Sequence, residues 1–103
     1  MSKSVTIIEP THPGEVLRDE FMEPLGLSAR ALAARISVPA NRITEILKAK
    51  RGMTAETAIL LSKAFGTSSE FWVNLQSFYD LQTASQNPET LSKARSIEPY
   101  EVA

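Results

Sequence analysis

The chain is 103 residues long, 43% apolar, and carries 11 Lys and Arg against 12 Asp and Glu, enough for one domain with a modest core. Cysteine is absent, which excludes a disulfide framework, a cysteine-rich zinc site and a thiol nucleophile, and fits a reducing compartment. No segment approaches the roughly 20 apolar residues of a membrane span, and Met1–Pro10 lacks the blocks of a signal peptide, so the expected location is the cytoplasm, with no membrane partner.

Residues 1–10 read as a short arm containing the β-prone run Val5-Thr-Ile-Ile8. A first helix begins near His12-Pro13, where proline's missing N–H costs nothing and Glu15 sits at the favourable pole of the helix dipole. Val16, Leu17 and Phe21 form its apolar stripe, and Pro24 and Gly26 end it. His12, the chain's single histidine, is read as a cap rather than as a metal ligand or base. Ser28 caps a short second helix with Leu32, Ala33 and Ile36 facing inward. Ser37-Val38 makes a tight turn, and Pro39 opens a third helix with Ile43, Ile46 and Leu47 toward the core.

Thr54 caps a fourth helix lined by Ala58, Leu61, Ala64 and Phe65, and Gly66 closes it. Thr67 with Glu70 has capping-box spacing and starts a fifth helix bearing Phe71, Trp72, Leu75, Phe78, Tyr79 and Leu81. From about Ala84 the periodicity fails, and residues 84–103 read as a mobile tail. The expected architecture is all-α: a five-helix domain over residues 11–83, with a short N-terminal arm and a flexible C-terminal tail.

Charge is distributed unevenly along this frame. Between Ser28 and Gly52 stand Arg30, Arg35, Arg42, Lys48, Lys50 and Arg51 against Glu45 alone, whereas the rest of the chain has 5 basic and 11 acidic side chains. A local basic patch suffices to contact phosphates even in a weakly acidic protein. The first helix is the acidic counterpart, with Glu15, Asp19, Glu20 and Glu23 around Arg18.

The second and third helices, joined by a turn of a few residues, form the informative unit. Leu32, Ile36, Val38, Ile43, Ile46 and Leu47 pack the pair together, and one face of the third helix stays free. Pro39, Ala40, Asn41, Arg42, Thr44 and Glu45 occupy its N-terminal part, the arrangement with which a helix enters a DNA major groove and reaches base edges. Asn41 can pair with an adenine edge. Arg42 suits guanine or phosphate, and Thr44 offers a methyl to thymine or a hydroxyl to phosphate. Ser28, Ala29 and Arg30 are expected to meet phosphate through main-chain N–H groups and a cation. Lys48, Lys50 and Arg51 are expected on phosphate, setting affinity and salt dependence, while Arg35 fits a solvated flank.

Further motifs follow in order: His12-Pro-Gly-Glu15, Pro24-Leu-Gly-Leu-Ser28, Val38-Pro-Ala-Asn-Arg-Ile43, Thr54-Ala-Glu-Thr-Ala58, Phe71-Trp-Val-Asn-Leu-Gln76 and Tyr79-Asp-Leu81. This series, spanning about Thr11 to Leu81, resembles the HigA family, antitoxins of HigBA type II toxin–antitoxin modules within the XRE, lambda-repressor-like helix-turn-helix superfamily. The resemblance implies a homodimer on double-stranded operator DNA that represses its own promoter. It also implies a complex with a HigB-like toxin, a small ribonuclease that cuts mRNA on the ribosome. Two positions depart from the family pattern, which commonly has glycine at Ser37 and Ala49. Serine is expected to tolerate the turn; alanine disfavours a left-handed cap, so the third helix is expected to run on to Gly52.

The fifth helix is aromatic on more than one side, and so small a domain has a limited core. Trp72, Leu75, Phe78 and Tyr79 are therefore expected at a dimer interface. A free-standing XRE-type regulator without a toxin shares the same DNA chemistry. An enzyme is disfavoured, because no nucleophile, base or metal constellation is present, and no cofactor or metal is expected.

Overall fold

The computed structural model describes residues 10–101, and among these every regular element is helical. The expected arm strand at Val5–Ile8 lies outside the described residues. The first helical stretch opens as α1, Pro13–Val16, widens into a π-helical segment over Leu17–Met22 and tightens into a 3-10 turn over Glu23–Leu25. Gly26, at φ +61°, ends it, with the Leu27 N–H returning to the Met22 carbonyl.

Helix α2, Ala29–Arg35, starts at Ser28, whose Oγ accepts the Ala31 N–H at 3.1 Å. Helix α3, Ala40–Leu47, follows Pro39, which occupies the N-cap rather than the first helical position. Helix α4, Ala55–Phe65, is capped by Thr54 and closed by left-handed Gly66. Helix α5, Ser69–Ser85, is capped by Ser68. The capping-box reading of Thr67 therefore misses by one residue: Thr67 Oγ1 instead accepts the Trp72 indole N–H at 2.7 Å.

Two other expectations are corrected. Helix α3 ends at Leu47 instead of running to Gly52, because Ala49 adopts φ +59°. There the Lys50 N–H reaches the Glu45 carbonyl and the Ala49 N–H the Ile46 carbonyl, a complete Schellman closure built without glycine. Ser37, at φ +62°, closes α2 in the same manner through Val38 and Ala33, as the turn reading required. The helix count of five is short by one: α6, Pro88–Arg95, follows a cap in which Asn87 Oδ1 accepts the Glu89 and Thr90 N–H groups. Each residue of α6 is exposed.

The core sits where α1 and its π-helical extension, α2, α3, α4 and α5 converge, around Leu17, Leu32, Ile43, Ile46, Leu61 and Trp72, all excluded from solvent. Phe21 wedges between Phe65 and Trp72, with both ring centroids 5.1 Å away. Gly14 is the close-approach point: a Cβ there would collide with the Ile46 carbonyl, so α1 crosses directly on the back of α3. That crossing fixes the C-terminal half of α3 and leaves its opposite, N-terminal face outward.

Candidate nucleic-acid interface

On α3, Ile43 and Ile46 are buried and Leu47 half-buried, which turns Pro39, Ala40 and Asn41 to solvent. Asn41 has no side-chain hydrogen bond among the described residues, so both ends of its amide are available to a ligand. Thr44, one turn on, is half-buried, and its hydroxyl donates back to the Asn41 carbonyl at 3.3 Å.

Arg42 and Glu45 are held differently. Arg42 leans off the helix toward α4, where Nη1 donates to the Thr57 hydroxyl at 3.3 Å and meets Glu56 at 3.4 Å. Thr57 is completely buried, so Arg42 acts as a tie between α3 and α4. Glu45 Oε1 lies 2.9 Å from both Nε and Nη2 of Arg51, which neutralises the single acidic charge of the basic segment. Of the six side chains read from sequence as base-reading, the structure places Pro39, Ala40 and Asn41 on one outward face. Thr44 borders that face, and Arg42 and Glu45 are engaged by partners of their own.

The flanks supply positive charge. Ser28 and Arg30 are exposed at the start of α2, and Ala29 is half-buried beside them. Ser28 Oγ is occupied by the Ala31 N–H. Lys48 and Lys50 are exposed on the loop after α3, with no acidic partner among the described residues.

Two residues passed over as site elements hold that loop. Gln76 on α5 accepts the Met53 N–H through Oε1 at 2.6 Å and donates through Nε2 to Asp80 at 2.9 Å. His12 caps α1 by accepting the Gly14 N–H on Nδ1 at 2.9 Å. It also hydrogen-bonds the main chain of Arg51 and sets its ring edge-on against Tyr79, centroids 4.9 Å apart. Burial holds the His12 pKa below its ordinary value, against the opposing pull of Asp80, the Arg51 bond and Glu15. The signal available in sequence was one polar residue, Gln76, interrupting an aromatic stripe.

On α5, Trp72 is wholly enclosed by its own chain. It is therefore removed from the expected dimer surface: an indole with no exposed atom cannot touch a second protomer. Leu75 and Tyr79 are half-buried, whereas Phe78 and Leu81 are 56% and 66% exposed.

A helix-turn-helix family model matches residues 19–72, which include α2, the turn and α3. The chain is 46% identical over 81 residues to virulence-associated protein I of Dichelobacter nodosus, covering 79% of this chain and 75% of that protein. Its fold superposes on Pseudomonas aeruginosa antitoxin HigA, solved with the higBA promoter, with a TM-score of 0.83 and 42% identity over 89% of this chain and 99% of that one. The chain belongs to the HigA family of helix-turn-helix antitoxins. A further solved structure, antitoxin GraA in complex with its operator, has a TM-score of 0.85 and 36% identity, covering 97% of this chain and 100% of that one. Among the described residues no helix is long and apolar enough to cross a membrane.

Proposed function

We propose that this chain is a cytoplasmic antitoxin that binds its own operator as a homodimer and neutralises a HigB-like, mRNA-cleaving toxin. The observation that carries the reading is the outward face Pro39-Ala40-Asn41 of α3, bordered by Thr44 and flanked by Arg30, Lys48 and Lys50. Relatives of the same fold have been solved with promoter or operator DNA. The small side chains of Pro39 and Ala40 let the helix approach base edges, and the Asn41 amide is free to read one. The main-chain N–H groups at Ser28, Ala29 and Arg30 and the cations Lys48 and Lys50 meet phosphate on either side, while Glu45 holds Arg51 back. Two protomers then present two α3 helices to successive major grooves about 34–36 Å apart, which matches a palindromic operator.

Phe78, with the half-buried Leu75 and Tyr79, supplies the dimer face. Phe78→Arg should convert the dimer to monomer in sedimentation; a dimer that survives would refute that face. For the toxin, the acidic surface of Glu15, Asp19, Glu20 and Glu23 offers charge complementary to a basic ribonuclease. Asp19→Lys with Glu20→Lys should slow association, and an unchanged rate would remove that surface. The function as a whole is tested by co-expression with the small reading frame beside this gene. A neighbour that is toxic alone, is tolerated with this chain and co-purifies with it supports the antitoxin role. A harmless neighbour leaves a free-standing repressor.

A further inference from the structure

A groove beside the turn between α2 and α3, lined in part by Ser37, has no role in the reading above. Its larger part, about 400 Å³, lies between the end of α2 and α4, with Ile36, Leu60 and Ala64 as an apolar floor and the cations Arg35 and Lys63 at its edge. A smaller hollow of about 190 Å³ shares Arg35 and Ala64 and continues toward Leu25, Leu27 and Phe65. Arg35 and Lys63 meet no carboxylate among the described residues.

The end of the chain carries the complementary pattern. After Ser96 the residues Ile97-Glu98-Pro99-Tyr100-Glu101 form no helix or strand, and Ile97 and Tyr100 are 67% and 94% exposed. Neither Glu98 nor Glu101 meets a cation among the described residues. Pro99 fixes its own φ and drives Glu98 into extended or polyproline backbone. In the three-residue repeat of polyproline helix, Ile97 and Tyr100 share one edge while Glu98 and Glu101 share the next. Two apolar anchors and two carboxylates in parallel rows match two adjoining apolar hollows edged by two cations. Within its own chain the segment is undocked, and α6 carries it clear of the body with every residue exposed.

We propose that residues Ile97–Glu101 of one protomer dock into the Arg35–Lys63 groove of a second copy, with Ile97 and Tyr100 in the hollows and Glu98 and Glu101 on the cations. The segment is a strap exchanged between protomers, and it rests on the homodimer reading above. Because the occupant is acidic and preorganised by Pro99, it loses little freedom on docking.

The absence of native cysteine makes the test direct. One chain carries Glu101→Cys and a second, of distinguishable mass, carries Ala64→Cys; each holds a single thiol, so no bridge within one chain is possible. Mixed and treated with a short thiol-reactive cross-linker, they should give the mixed covalent dimer well above the level of either alone. Independently, Glu98→Lys with Glu101→Lys should weaken self-association on the order of tenfold in sedimentation, as expected for removing interface anchors. Mixing that variant with an Arg35→Glu, Lys63→Glu chain should restore it. A wild-type chain that is dimeric yet gives no mixed cross-link and is indifferent to charge reversal overturns the strap alone. A wild-type chain that is monomeric at all concentrations overturns both the strap and the homodimer reading.

Discussion

Arg42 Nη1 lies 3.3 Å from the hydroxyl of Thr57, a side chain with no exposed surface, and so bonds α3 to α4. This changes what a substitution at Arg42 should do. The Glu56 arm of the contact is exposed and contributes little, but an Arg42→Ala change deprives Thr57 of a donor, at about 1 kcal/mol. We expect Arg42→Lys to recover only part of the loss that Arg42→Ala causes, several degrees in melting temperature, because a flexible ammonium is less well placed than Nη1 to meet Thr57 and Glu56 together. Thermal unfolding of the DNA-free protein checks this; an unchanged midpoint would mean that Arg42 is held only loosely.

Glu45 is expected to restrain binding to DNA of any sequence. It carries the only carboxylate of the basic segment and holds Arg51 through two 2.9 Å contacts. Glu45→Gln removes a charge that repels phosphate and releases Arg51 toward it. Affinity should rise for operator and random DNA alike, and the salt slope should steepen by about one contact. Fluorescence anisotropy across a salt series measures both. A selective loss of operator affinity would instead make Glu45 a base reader, accepting from cytosine.

Ser37 and Ala49 hold left-handed backbone that costs a side-chain-bearing residue about 1–2 kcal/mol. Ser37→Gly and Ala49→Gly should each stabilise the fold by about 0.5–1 kcal/mol, the gain being trimmed by the greater freedom of glycine in the unfolded chain. Urea unfolding midpoints should move upward for both, and should add, since the two turns have separate closures. A fall in either midpoint would mean that the side chain compensates the backbone.

His12 makes stability depend on pH. Its folded-state pKa lies below the ordinary 6.5 because burial disfavours the imidazolium, and Nδ1 must stay unprotonated to cap Gly14. The unfolded chain therefore takes up the proton first as pH falls. The contribution is fully present above about pH 6.5 and is lost as pH drops through the folded value. Melting temperatures between about pH 7 and pH 5 should fall for the wild-type chain and less for His12→Asn, which keeps a capping side chain without titrating there. Parallel curves would show that His12 does not carry the effect.

The features legible in the sequence were those set by neighbours in the chain. Ser28, Thr54, Gly26 and Gly66 mark helix ends because capping is local chemistry, and the inward faces of α2 and α3 follow from spacing alone. Features set by distant contacts were not legible. Arg42 has its partners 14 and 15 residues away on α4, and a one-dimensional reading sees only an arginine on a basic helix. Trp72 could not be sorted from Phe78 until Phe21, from the first helical stretch, was seen to cover one side of α5 and leave the other bare. The end of α3 was misplaced because alanine's dislike of positive φ is outweighed by the two closing bonds at Ala49 and Lys50. Helix α6 gave no apolar periodicity because it packs little, and its cap, Asn87-Pro88, resembles a turn.

In the proposed function, the Asn41 face of α3 reads operator bases. The most direct measurement is the affinity of Asn41→Ala for the DNA upstream of its gene and for a scrambled duplex at the same salt, with the melting temperature as a control. Asn41→Ala should leave the melting temperature unchanged, cost about 1–3 kcal/mol on the upstream DNA and change little on the scrambled duplex. Undiminished, still selective binding by Asn41→Ala would contradict that reading and move the reading surface elsewhere.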